Sequence, residues 1–446
     1  MLASRRRRLG CTLLLFGAYV YCDAAIAEDS NIFGSISTRY KLRATADTSD
    51  QDLETLLSLN MGEPLNDRVA VSLQAGGIFD LDGDSSDSTF NGVYDSFNTG
   101  AAGRIYHAYL DANNLGVFDR LRAGRQFRQE FESLYFDGLS LQWREAKGFK
   151  LMSYGGVPVH FYETETGSDS GDFVAGGAFE IDPVKVVRAR FDYVHLKDDF
   201  TGFRANVGDI EDDLFGLSVW WDAQPGLMIS SRFTSFLDQV RDLALDTRYR
   251  FIEQNLSLQF HFFSLLESYG VRVIDLDPYS FAGEYKPYYE MAFTGMKGIG
   301  EHFALDAGYA FRILIEEQVA SAFNHGFQRF FLTGSTIEWP LDGMSLSLTG
   351  DYYLGQDNEL QNDTYGTSFS IAQDLLKRKL RLTAGTAFYL YRYNLLAGNE
   401  SDNVQTYYAR GTVKFLKDFE GRLGYEFETS DLDNFHTLDV RVAWNF

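Results

Sequence analysis

Proline and cysteine are both scarce in this chain, and each scarcity removes possibilities. Seven prolines in 446 residues leave long stretches in which every backbone N–H can enter a hydrogen-bond ladder. The two cysteines, Cys11 and Cys22, both fall in the first 27 residues. The rest of the chain therefore has no thiol for a disulfide, a thiolate metal site or a CxxCH haem attachment. Nowhere do about 20 apolar residues run together, so no helix is expected to span a membrane. The seven histidines are scattered, without HExxH, and no GxSxG occurs, which leaves zinc, haem-ligating and hydrolase readings without support. Basic residues are outnumbered 40 to 63, a net charge of −23 that disfavours nucleic acid as a partner.

What is present begins with a distinct N-terminal segment. Arg5 to Arg8 form a basic region, CTLLLFGAYVY an apolar one, and Ala25-Ile26-Ala27 a small-x-small cleavage pattern. This is the plan of a secretory signal peptide over 1–27, and it implies export. Cys11 follows Leu9-Gly10 but precedes the apolar run, so lipidation is not expected. With the segment's four arginines and one aspartate removed, the formal charge falls from −23 to −26.

Residues 28–446 read as one repeating plan. Ile32, Gly34, Ile36, Thr38, Tyr40 and Leu42 alternate with Phe33, Ser35, Ser37, Arg39, Lys41 and Arg43, a period of two that belongs to a strand with one apolar face. Leu53, Thr55, Leu57, Leu59 and Met61 repeat the pattern, as do Leu380, Leu382, Ala384, Thr386 and Phe388. At the end Leu438, Val440, Val442, Trp444 and Phe446 share one face. Aromatics reach 15%, with 26 Tyr and 38 Phe, as suits a half-buried sheet. Short connections (EPLND, DPVK, DAQPG, PLDG, LLKRK) alternate with long polar ones such as ETETGSDSGD and KDDFTGFRANVGDIEDD. A sandwich seldom keeps that rhythm over about 400 residues, whereas a single closed sheet explains it. The expectation is an all-β, up-and-down antiparallel transmembrane barrel of about 22 strands, with 20 as the alternative. The uncertain count lies between residues 240 and 290.

Charges on the polar faces are the main functional candidates: Arg39, Lys41, Arg43, Arg188, Arg190, Arg232, Arg248, Arg250, Arg381, Arg410 and Arg441, beside Glu54, Asp192, Asp306, Asp351, Glu426, Glu428 and Asp439. A basic residue facing the bilayer midplane costs about 2–4 kcal/mol, so these groups are expected to line a wet lumen. There they either pair structurally or select charged solutes. The run Asp80 to Asp87 places carboxylates at Asp80, Asp82 and Asp84 but departs from a calcium loop at Ser85 and Asn91, and a solvated loop is the better reading. No metal or cofactor is assigned.

With its signal-like segment, cysteine-free strands, acidic loops and final phenylalanine, the chain resembles the outer-membrane β-barrel proteins of Gram-negative bacteria, porins among them. The resemblance covers the whole of 28–446. It implies a multi-pass outer-membrane location, contact with lipid and lipopolysaccharide, a transport role without catalysis, and recognition of VRVAWNF, with Trp444 and Phe446, by the barrel-assembly machinery. LRAGRQFRQ resembles porin strand ends and adds Arg122, Arg125 and Arg128 near a loop. STRYKLRATADTSDQDL and GRLGYEFETSDLDNFHTLDV resemble barrels of porin-cytochrome conduits in metal-reducing bacteria. That resemblance implies an alternative, a sheath around multihaem cytochromes of the periplasm and cell exterior, with all haem on the partners.

Overall fold

The computed structural model describes residues 11–15, 18–22, 32–62, 67–82, 90, 100–129, 133–143, 148–159, 171–198, 210–237, 239–267, 287–315, 326–355, 364–394, 399–431 and 433–446. Two short strands, β1 (Cys11–Leu15) and β2 (Ala18–Cys22), pair only with each other. All other strands form one closed antiparallel barrel of 22. Its first part runs through β3 (Ile32–Ala44), β4 (Ser49–Met61), β5 (Val69–Asp80), β6 (Ala101–Leu115), β7 (Phe118–Gln129), β8 (Ser133–Trp143), β9 (Phe149–Pro158) and β10 (Phe173–Val184). It continues through β11 (Val187–Asp198), β12 (Ile210–Gln224), β13 (Leu227–Phe236), β14 (Val240–Phe251), β15 (Leu256–Leu265), β16 (Tyr288–Ile299) and β17 (Phe303–Leu314). The last strands are β18 (Phe327–Ile337), β19 (Met344–Gly355), β20 (Thr364–Leu375), β21 (Leu380–Asn394), β22 (Asn399–Leu416), β23 (Phe419–Thr429) and β24 (Asn434–Asn445).

Each strand pairs with its chain neighbours, and β24 closes on β3. The doubtful stretch between 240 and 290 holds β14, β15 and the start of β16, which fixes the count at 22. Several expected boundaries move; DAQPG, for one, is a turn only at Pro225–Gly226, since β12 runs through Gln224. The DPVK turn is confined to Lys185–Val186, because β10 carries on through Pro183. A register shift between Ile181 and Val184 accommodates that proline, which has no N–H for the ladder. The loop read as KDDFTGFRANVGDIEDD is also shorter, since β12 begins at Ile210 and pairs Glu211 with Lys197.

Cross-strand partners share a face, so the register sorts side chains into two sets. One set is apolar, including Leu423 opposite Val440, Leu42 opposite Leu438, and Leu348 opposite Phe369. Leu42 and Leu438 are half-buried, but the others are exposed: Leu348 keeps 57% of its surface and Leu423 56%. The other set carries most of the charges and bounds the cavities described below, so it faces the interior. Sheet closure satisfies the backbone, and the exposed apolar set is what hydrocarbon requires of an outer wall.

Aromatic pairs mark both margins of that apolar wall. At the short-turn end Phe118 lies 5.4 Å from Trp143, Phe149 5.8 Å from Phe179, and Phe419 stacks 5.8 Å from Trp444. At the long-loop end Phe127 stacks 4.7 Å from Tyr135, Tyr309 lies 4.5 Å from Phe330, and Tyr352 4.5 Å from Tyr365. Following cross-strand partners once round the wall returns to β3 about 24 residues higher, a stagger that for 22 strands gives a tilt near ~40°. Each residue then climbs about 2.5 Å along the barrel axis. Trp143 and Tyr135, eight residues apart on β8, are separated by about 20 Å of height, close to the thickness of an outer-membrane apolar band.

Candidate functional site

Barrel closure brings the two ends of the chain together and builds the first charged sector. Arg39 on β3 donates from Nε to Asp439 on β24 at 2.5 Å and reaches Glu54 on β4 at 3.4 Å. Arg43 pairs with Asp50, its Nε donating at 2.6 Å, and approaches Asp52 at 3.6 Å. Lys41 stands in register between Asp439 and Asp52. Arg441 faces Arg39 and Arg422 across its two neighbours, and these groups with Ser37, Glu54 and Asp439 bound a cavity of about 320 Å³. Further round, Arg410 lies 3.8 Å from Glu426, Thr406 Oγ1 donates to Glu428 at 3.4 Å, and Arg381 lies 3.6 Å from Asp374.

The sector from β6 to β13 is more tightly knit. Arg122 donates from Nε and Nη2 to the two oxygens of Asp111 at 2.7 and 2.8 Å, with its guanidinium 3.6 Å over the Tyr109 ring. Asp111 is fully buried. Arg190 donates to Asp192 at 2.7 Å, Arg188 lies 3.9 Å from Glu180 and 4.8 Å over Trp220, and Arg128 lies 4.6 Å over Tyr154. Toward the long-loop end, Leu134, Phe136, Val174, Val194, Leu196 and Leu214 form a buried apolar cluster on the same inner face. Arg232 lies 3.7 Å from Asp242, which also accepts from Arg241 at 2.6 Å.

A second cavity, of about 820 Å³, opens near the short-turn end between β14 and β17. Arg248, Arg250, Gln259, Thr294, His302 and Asp306 are among its walls. Arg248 and Arg250 are exposed to it, and neither has a carboxylate partner among the described residues. Paired arginines present little net charge to a passing solute, whereas these two present theirs in full.

The charged candidates therefore share the inner face but belong to several sectors, and among the described residues no single constriction gathers them. Trp444 and Phe446 belong to the turn-side margin: their rings are 4.8 Å apart, and Phe446 exchanges two backbone hydrogen bonds with Gly34, at 3.0 and 2.8 Å. The Phe446 ring covers Gly34, where an added Cβ would come within 3.0 Å of it.

The three arginines of LRAGRQFRQ lie near the β7–β8 connection, as expected, but divide between faces: Arg122 and Arg128 share the inner one, and Arg125, three residues from each, faces outward, because a period of two sends odd spacings to opposite sides. The carboxylates Asp111, Asp50, Asp52 and Glu290 and the arginines Arg312 and Arg329 escaped selection, although the same alternation marks them; Arg312 donates to Glu290 at 2.7 Å and Arg329 pairs bidentately with Asp351. Of the Asp80–Asp87 run, residues 83–87 lie outside the described residues, as does Asn91. Asp82, beyond the end of β5, is held above the usual carboxylate range, first by burial and then by its neighbour Asp80, against the backbone N–H of Gln51.

No protein-family model matches the chain, and no curated protein matches it. Among solved structures it is similar to the translocation pore of the P pilus usher PapC, at 8% identity over 93% of this chain and 99% of that one, with a TM-score of 0.50. It is also similar to the outer membrane protein OpdK of Pseudomonas aeruginosa, at 12% identity over 93% and 99% of the two chains, with a TM-score of 0.44. OccAB4 of Acinetobacter baumannii shows 10% identity over 93% and 97%, with a TM-score of 0.44. At these identities the likeness is one of fold.

Proposed function

We propose that this chain is a channel of the Gram-negative outer membrane that passes small polar or charged solutes. The observation that carries the reading is the division of faces: an exposed apolar wall bounded by aromatic margins outside, and charged groups around cavities of about 820 and 320 Å³ inside. Residues 1–27 serve as the export signal, Trp444 and Phe446 as the mark read by the assembly machinery, and the outer wall meets lipid and lipopolysaccharide. Arg248, Arg250 and the seam group around Arg39 and Arg441 set the field felt by a solute. Planar-bilayer recording tests this, once native folding is verified by heat-modifiable gel mobility. Discrete conductance steps are expected; folded protein that conducts nothing rules out an open pore.

A second reading rests on width. Twenty-two strands about 4.8 Å apart at this tilt give a wall about 40 Å across, wider than side chains alone fill. Such a lumen suits a sheath around a multihaem cytochrome, although the likenesses to solved structures lend that role no support. Haem staining of the complex purified from native membranes separates the two: stoichiometric haem favours the sheath, a haem-free barrel the channel.

A further inference from the structure

Within its apolar band the outer wall holds a charged pair that neither reading uses. Arg125 on β7 and Asp137 on β8 are cross-strand partners on the apolar face. Arg125 donates from Nε to Asp137 Oδ1 at 2.9 Å and from Nη2 to Oδ2 at 2.7 Å, and from Nη1 to the Ile105 carbonyl at 3.3 Å. On the same hairpin the Phe127–Tyr135 stack lies two residues toward the loops and Trp143 six residues beyond Asp137 toward the turns. The climb of about 2.5 Å per residue puts the pair about 5 Å beneath the loop-side aromatics and about 15 Å above the turn-side ones. The register agrees: from Arg125 the partners run through Ala108, Leu73 and Leu59 down to Gly34, beneath Phe446. The pair thus lies well inside the hydrocarbon band.

Among the strand residues whose side chains are described, Arg125 is the one arginine on that face. Lys197, Glu211, His195 and Asp213, which also point outward, cluster at the loop-side ends of β11 and β12. Lys197 and Glu211 there reach the interface; Arg125 and Asp137 do not. Lipid tails offer nothing to a carboxylate whose side chain stays 47% exposed. The surroundings are low: Ala108, Ala123, Gly155 and Ala175 face outward beside the pair, and only three residues separate β7 from β8.

We propose that this patch is the contact between two copies of the chain, related by a two-fold axis along the membrane normal. The pair is self-complementary under that operation. Arg125 and Asp137 stand side by side at nearly one height, so a copy turned to face the first sets its Asp137 against Arg125 and its Arg125 against Asp137. Four charges then alternate in a square. The small residues let the walls approach closely enough for these contacts, and an isologous interface of this kind closes on itself as a dimer. A partner of different sequence lacks this built-in complement.

Disulfide trapping in native membranes tests it, since residues 28–446 contain no cysteine. Leu139→Cys, two residues below Asp137, is expected to give an adduct of twice the chain mass under mild oxidation. Leu348→Cys on β19, on a distant part of the outer wall, is expected to give none. Replacing both members, Arg125→Leu with Asp137→Leu, is expected to cut the adduct at least tenfold while heat-modifiable mobility persists. The swap Arg125→Asp with Asp137→Arg keeps the alternation and is expected to restore it. Folded Leu139→Cys protein that gives no adduct, equal adducts from both probes, an adduct of any other mass, or trapping indifferent to the double leucine variant overturns the dimer. None of these outcomes depends on whether the lumen conducts.

Discussion

The closing seam and the β7–β8 hairpin solve the same problem in opposite ways. Around the seam of β23, β24, β3 and β4 every charge on the strands points inward: Arg39 with Asp439 and Glu54, Arg43 with Asp50, and Glu426 with Arg410, while Leu42, Leu423 and Val440 take the outside. The β7–β8 hairpin carries charge on both faces. Arg122 pairs with Asp111 inside, and Arg125 pairs with Asp137 outside, among Ala108, Ala123 and Leu139. Inside, water stands ready to solvate either member of a broken pair, so each exposed pair contributes little. Outside, hydrocarbon does not, and losing one member strands the other.

Breaking the seam at its terminal residue has the largest expected effect, and it appears in cells. Deleting Phe446 removes one aromatic's burial, roughly 2 kcal/mol, too little to unfold a wall of 22 strands. The assembly reading nevertheless predicts a many-fold loss of outer-membrane protein in vivo and near-normal refolding into detergent. Immunoblots of membrane fractions beside refolding yields check both halves, and normal cellular levels refute it.

Next comes the outward pair. Asp137→Leu leaves Arg125 without its carboxylate in the apolar band and, at a height between midplane and loop-side interface, is expected to destabilise the barrel by about 1–3 kcal/mol in reversible unfolding from lipid vesicles. Changing both residues to leucine is expected to recover most of that loss, because an apolar pair suits hydrocarbon. A double variant as unstable as the single one shows that the pair does not sit in apolar surroundings.

A gentler perturbation touches the cavity between β14 and β17. Arg248→Gln with Arg250→Gln removes two positive charges that have no carboxylate partner among the described residues. The permeability ratio from reversal potentials in a salt gradient is expected to move severalfold toward cations, with unchanged unfolding. An unmoved reversal potential places the conducting path elsewhere.

The smallest effect belongs to the seam's inner pairs. Arg410 and Glu426 are 3.8 Å apart with side chains 46% and 40% exposed, and Glu426→Gln is expected to alter stability by less than about 1 kcal/mol. A loss comparable to that of Asp137→Leu would erase the contrast between the two regions.

Alternation with a period of two is a local property, legible from a few consecutive residues, and it sorted Arg39, Arg188, Arg381 and Glu426 to the inner face before any strand was placed. It also held the signal that Arg125 opposes Arg122 and Arg128, a parity overlooked because the three were read as one cluster near a loop. Strand number was nearly legible; the stretch after Val240 became countable only when β14 and β15 were seen to turn within four residues at 252–255. Partners were not legible at all. Arg39 meets Asp439 across 400 residues of chain, Pro183 passes within a bulge, and Asp137 settles beside Arg125 in the loop-side half of the apolar band because of the register. The sequence by itself decided which side of the wall each side chain takes, since neighbouring Cβ atoms must point to opposite faces. Height in the membrane and the identity of each partner waited for the closed sheet, because the stagger that sets both is a property of all 22 strands together.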